Sequence, residues 1–94
     1  MNPVRDNPSM FYTYVIENKN KQWYTGSTND LRKRFNQHNT KKSTYTKYRG
    51  PYKLIYYEAC SIEEDARSRE KYLKSGMGKR YIKNRLKRFL SLTG

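Results

Sequence analysis

An α+β fold, a small three-stranded sheet flanked by helices in the order β-β-α-β-α-α, is what this sequence predicts. Three observations carry it. Short runs rich in aromatic and β-branched residues lie at 11–17, 22–25 and 53–59, as strands require. Apolar residues recur at helical spacing from residues 30, 61 and 79 onward. The 94 residues give one domain with a small core.

Residues 1–10, MNPVRDNPSM, hold two prolines and no period, and are expected to form an irregular arm before a domain at 11–94. Phe11 to Glu17 reads as a strand with Tyr12, Tyr14 and Ile16 on one face and Phe11, Thr13 and Val15 on the other. Asn18 to Lys21 supply turn chemistry. Gln22 to Thr25 is the antiparallel return strand, ended by Gly26. Thr28 or Asn29 is the expected cap of a helix from Asp30 to His38. Its inward stripe is Leu31, Arg34, Phe35 and His38, at i, i+3, i+4 and i+7.

Residues 39–52 read as a loop rich in lysine, arginine and tyrosine, closed by Gly50-Pro51. Lys53 to Ala59 is a third strand of the same sheet. Ser61 with Glu64 reads as a capping box for a helix to about Ser75, with Ile62, Ala66, Arg69 and Leu73 inward and Glu70 on the edge. Gly76-Met77-Gly78 is expected to break that helix. A last helix, about Lys79 to Leu92, buries Ile82, Leu86, Phe89 and Leu90.

The charge balance narrows the partners. Twenty-one Lys and Arg against eight Asp and Glu give a net charge of +13, an excess that suits a polyanion. No apolar run is long enough to span a bilayer, and no apolar segment near the N-terminus reads as a secretory signal. One cysteine, Cys60, forms no internal disulfide, and no Cys/His cluster offers zinc ligands. A cytoplasmic chain is expected. Lys41, Lys42, Lys47 and Arg49 in the loop, with Lys79, Arg80 and Lys83 near the last helix, are the candidate phosphate contacts. Such contacts read backbone and shape more than base sequence.

The residues that carry chemistry are Tyr14, Tyr24, Arg34, His38 and Glu70. Arg34 and His38 sit on a buried stripe, so each needs a polar partner there. A guanidinium stays charged and grips phosphate bidentately. A phenol with a pKa of about 10 is a poor base unless neighbouring cations favour its ionised form. Taken singly, the tyrosines read as well as cross-strand packing, His38 as a packed histidine, and Glu70 as an ion-pair partner.

Together they resemble the GIY-YIG nuclease superfamily. The carriers are Tyr14, then Tyr24-Thr25-Gly26, then Asp30-Leu31 with Arg34 and His38, then Glu70 in Ser68-Arg69-Glu70-Lys71-Tyr72-Leu73-Lys74. The chain looks closest to small stand-alone bacterial members and is similar to the N-terminal nuclease domain of the excision-repair nuclease. Tyr12-Thr13-Tyr14 departs from the usual glycine and isoleucine, and Ser27 stands where some members carry a lysine. The resemblance implies a Mg²⁺- or Mn²⁺-dependent endonuclease cutting DNA, with branched or single-stranded structures as candidate substrates. In it one tyrosine, Tyr14 above all, activates water, Arg34 steadies the phosphate, His38 bonds a tyrosine or the phosphate, and Glu70 binds the metal. The five are expected to converge on one concave face. Composition alone does not separate DNA from RNA, and a non-cleaving nucleic-acid-binding module on the same fold is the alternative.

Overall fold

The computed structural model describes residues 10–40 and 51–93. Among the described residues seven elements follow one another: β1 Phe11–Asn18, β2 Trp23–Thr28, α1 Leu31–Asn39, β3 Tyr52–Cys60, α2 Glu63–Lys74, α3 Gly76–Arg85 and α4 Lys87–Thr93. The expected order holds, with the last predicted helix divided at Leu86. The three strands form one antiparallel sheet in the order β2-β1-β3.

β1 is central, and helices cover both of its faces. Its alternating side chains therefore feed two separate cores. On one face Tyr14, Ile16 and Tyr52 are buried with Tyr24, Leu54 and the α1 residues Leu31 and Phe35. On the other, Val15 packs with Leu73 of α2 and Ile82 of α3, backed by Trp23, Ile55 and Leu86. A bulge opposite Val15 and Ile16 inserts Ile55 into β3, so Ile55 and Tyr56 both serve the second core. The Thr13 hydroxyl donates to the Ala66 carbonyl of α2 at 2.8 Å, a satisfied polar tie in an otherwise apolar layer.

Several boundaries differ from the sequence reading. β2 does not end at Gly26 but runs on to Thr28. Asp30 is the cap of α1, its Oδ1 accepting from the Lys33 N–H at 3.1 Å. Thr28 instead accepts from the Asp30 N–H within the preceding turn. α2 has no capping box: Ile62 holds the cap position without a side-chain bond and is 54% exposed rather than inward. Glu63, Glu64 and Asp65 fill the first turn, where negative charge favours the helix dipole.

The glycines after α2 do not break it either. The break falls at Ser75, whose hydroxyl oxygen accepts from the Gly78 N–H at 3.1 Å and caps α3. Gly76 and Gly78 lie inside α3, and Gly78 presses its bare Cα against the α2 backbone at Tyr72 and Leu73.

Candidate active site

The site begins with a close approach inside the sheet. Tyr14 on β1 stands in register with Gly26 on β2. A Cβ at Gly26 would lie 2.5 Å from the Tyr14 phenol oxygen. The glycine thus makes room for the Tyr14 ring. Tyr14 is 1% exposed.

α1 then brings two polar groups down onto that ring. The Tyr14 hydroxyl and His38 Nε2 are 2.7 Å apart, and His38 is itself 1% exposed. Arg34, one turn earlier, lies near enough to both Tyr14 and Tyr24 for their electrostatics to be coupled and donates to Gln37 Oε1 at 3.2 Å. The direction of the Tyr14–His38 bond follows the imidazole tautomer: with the ring proton on Nδ1, the phenol donates to Nε2. Arg34, Tyr14 and His38 thus form one polar cluster on this face. Tyr24 closes the group, its ring 4.9 Å from the imidazole centroid.

The ionisation states fit this cluster. Burial, with the Arg34 charge second, lowers the His38 pKa to about 4, so the imidazole is neutral at pH 7. Burial raises the Tyr14 pKa to about 12, against the pull of the neighbouring Arg34, and the Tyr24 and Glu70 charges add to the rise. The Arg34 guanidinium alone therefore does not favour a Tyr14 phenolate. Desolvation outweighs the guanidinium, because the ring lies in a core. The burial that lowers the Arg34 pKa is outweighed by the two phenols beside it, and the net shift is upward.

Glu70 arrives from the other layer. It is carried by α2, and its Oε1 accepts from the Ser27 hydroxyl at 2.8 Å. Its Oε2 carries the Lys74 ammonium at 2.8 Å. Ser27 pairs with Thr13 and follows Gly26 along β2, so it points to the opposite sheet face from Tyr14. Four of the five expected residues thus meet on one face, and Glu70 reaches the same stretch of β2 from the other. Its charge is near enough to act on Tyr14.

Glu70 is one carboxylate, which a divalent cation would have to meet as a sparse site. Among the described residues no group of three or more His, Cys, Asp or Glu gathers, but Mg²⁺ commonly takes one carboxylate, several waters and substrate oxygens. The Lys74 ammonium already sits on Oε2, so a metal on that oxygen would take its place.

Of the candidate phosphate contacts, Lys79, Arg80 and Lys83 are exposed on α3. Lys41, Lys42, Lys47 and Arg49 lie outside the described residues. Sequence reasoning missed Gln37, Ser27 and Lys74 as partners of the site. Lys74 was available from its i+4 spacing to Glu70; the Ser27 contact, 43 residues away in sequence, had no local signal.

The family model of the GIY-YIG catalytic domain matches residues 10–87. A UPF0213 protein of Clostridium perfringens is 44% identical over 66 residues, which are 69% of this chain and 71% of that one. The UPF0213 protein YazA of Bacillus subtilis is 44% identical over 64 residues, 67% of this chain and 65% of its own length. The solution structure of a UPF0213 protein from Bacillus halodurans is 34% identical, covering 78% of this chain and 81% of its own, with a TM-score of 0.49.

Proposed function

Because the chain belongs to the GIY-YIG family, we propose that it is a metal-dependent endonuclease that hydrolyses DNA phosphodiester bonds. The observation that carries this reading is the polar cluster of Arg34 with Tyr14, Tyr24 and His38, in which the Tyr14 hydroxyl and His38 Nε2 are 2.7 Å apart. It holds a permanently charged guanidinium at the edge of a buried aromatic nest, half-buried and aimed by two phenols. Electrostatic stabilisation of a phosphodiester in attack needs such a fixed cation.

The roles follow from exposure. Tyr14 and His38 are sealed from solvent and serve to aim Arg34. Tyr24 is only partly buried, so its hydroxyl, rather than that of Tyr14, is the one to orient the attacking water. Arg34 grips the non-bridging oxygens as charge builds on phosphorus. Glu70 would hold the divalent cation, which when bound neutralises substrate charge and the leaving 3′ oxygen. Lys79, Arg80 and Lys83 lend backbone grip. Contacts of this kind favour substrates told apart by shape, and we assign branched or single-stranded DNA of the sort met in repair and recombination.

One observation favours the alternative, a non-cleaving nucleic-acid-binding module. Both Glu70 oxygens are already engaged, by Ser27 and Lys74. The discriminating experiment is a panel of linear, single-stranded and branched DNA and RNA with Mg²⁺ or Mn²⁺. Glu70→Ala should abolish cleavage and keep binding, and Arg34→Ala should cost about 10²–10³ in rate. Tight binding with no metal-dependent cleavage of any substrate would hand the function to the binding module.

A further inference from the structure

Resting on the reading of Glu70 as the carboxylate for a divalent cation, we propose that Ser27 and Lys74 act on its two oxygens in opposite senses. Ser27 is a positioning residue that turns Oε2 toward the cation. Lys74 is a resident cation that holds Oε2 until the metal displaces it.

A sparse site makes orientation matter. Where one carboxylate is the whole protein contribution, its oxygen must be aimed before the metal arrives, or the freedom of a glutamate side chain is lost on binding. The aim here is built from two parallel ties. Thr13 and Ser27 face each other across β1 and β2. Thr13 bonds the Ala66 carbonyl at 2.8 Å, and Ser27 bonds Glu70 Oε1 at 2.8 Å. Ala66 and Glu70 are one helical turn apart on α2. The strand pair is thus fastened to α2 at two successive turns, and the carboxylate plane is fixed by the second fastening. Outer hydrogen bonds to a metal-binding carboxylate are worth about 10–100-fold in metal affinity.

With Oε1 held by the sheet, Oε2 is the oxygen left to the cation. Lys74 occupies it at 2.8 Å, with 53% of its side chain exposed against 24% for Glu70. An i,i+4 pair on a helix surface is a weak tie, so Lys74 yields readily. Removing the two neighbours should therefore shift metal affinity in opposite directions. A merely structural role for either would not do this.

The test is a titration of the full chain with Mg²⁺ alone, followed by the side-chain carboxylate carbon of Glu70 in NMR, with Mn²⁺ relaxation as a second probe. Ser27→Thr and Ser27→Val have the same shape and differ in the hydroxyl. Thr should bind as the native chain does, and Val about tenfold more weakly, with the rest of the spectrum unchanged in both. Lys74→Met should bind about twofold more tightly. Equal affinities for Thr and Val would overturn the Ser27 role while leaving Glu70 as the metal carboxylate. Weaker binding by Lys74→Met would overturn the role given to Lys74. A native chain whose Glu70 carbon ignores Mg²⁺ would remove the metal reading of Glu70 and both roles with it.

Discussion

The neutral imidazole of His38 is the pivot of the site at the residue scale. Its Nε2 is hydrogen-bonded to a buried phenol, and burial keeps the ring uncharged. The folded pKa, about 4, lies below the ordinary 6.5. An unfolded chain therefore takes up this proton first, and stability supplied by the neutral form is present above about pH 6.5 and lost as pH falls toward 4. Thermal melts across that window should show the decline, and His38→Gln should flatten it. A native profile that stays level from pH 7 to 4 would contradict the arrangement. The sequence disclosed this residue well: the spacing Leu31, Arg34, Phe35, His38 placed a cation and an imidazole on an inward face. It did not disclose which phenol stays open to solvent. That depends on how deeply each ring sinks, and Gly26, by clearing space for one ring, sinks Tyr14.

The strands at the element scale were legible because their aromatic and β-branched runs have no competing reading. Helix ends were not, because capping is decided among neighbours that all qualify. Thr28, Asn29 and Asp30 can each cap α1, and the turn geometry selects Asp30. The glycines of α3 show the same limit. Gly76 and Gly78 look alike in sequence, yet an added Cβ at Gly76 would meet nothing within 4 Å, whereas at Gly78 it would collide with the Tyr72 and Leu73 backbone. Gly78 is the contact point of two helices, where a backbone obstacle cannot swing aside. Gly78→Ala should destabilise the chain by about 1–3 kcal/mol. Gly76→Ala should be neutral or slightly stabilising, as glycine gives way to a better helix former. Denaturant midpoints of the two variants, measured side by side, check the contrast. Equal effects would mean that α2 and α3 do not touch there.

The whole molecule is governed by its charge, +13 over 94 residues. The six cations of the last two helices, Lys79, Arg80, Lys83, Arg85, Lys87 and Arg88, stand exposed with no acid between them. Binding to DNA should therefore weaken steeply with salt. Reversing Lys79, Arg80 and Lys83 to Glu should flatten the plot of log affinity against log salt by about 0.9 for each phosphate that is no longer neutralised. Fluorescence anisotropy at several salt concentrations reads this directly, and an unchanged slope would move the grip elsewhere. Two cores, one on each side of a single sheet, set a further condition. Arg34 is seated with the first and Glu70 with the second, and the helices bearing them pack on opposite faces of the strands. Their alignment is thus a tolerance held between two independently seated parts, as in an instrument whose jaws are mounted on opposite sides of one plate. A small loosening of either seat displaces one jaw relative to the other long before either seat gives way. Heat or a core substitution should silence such a site while the chain is still folded, leaving a protein that withdraws from chemistry before it loses its shape.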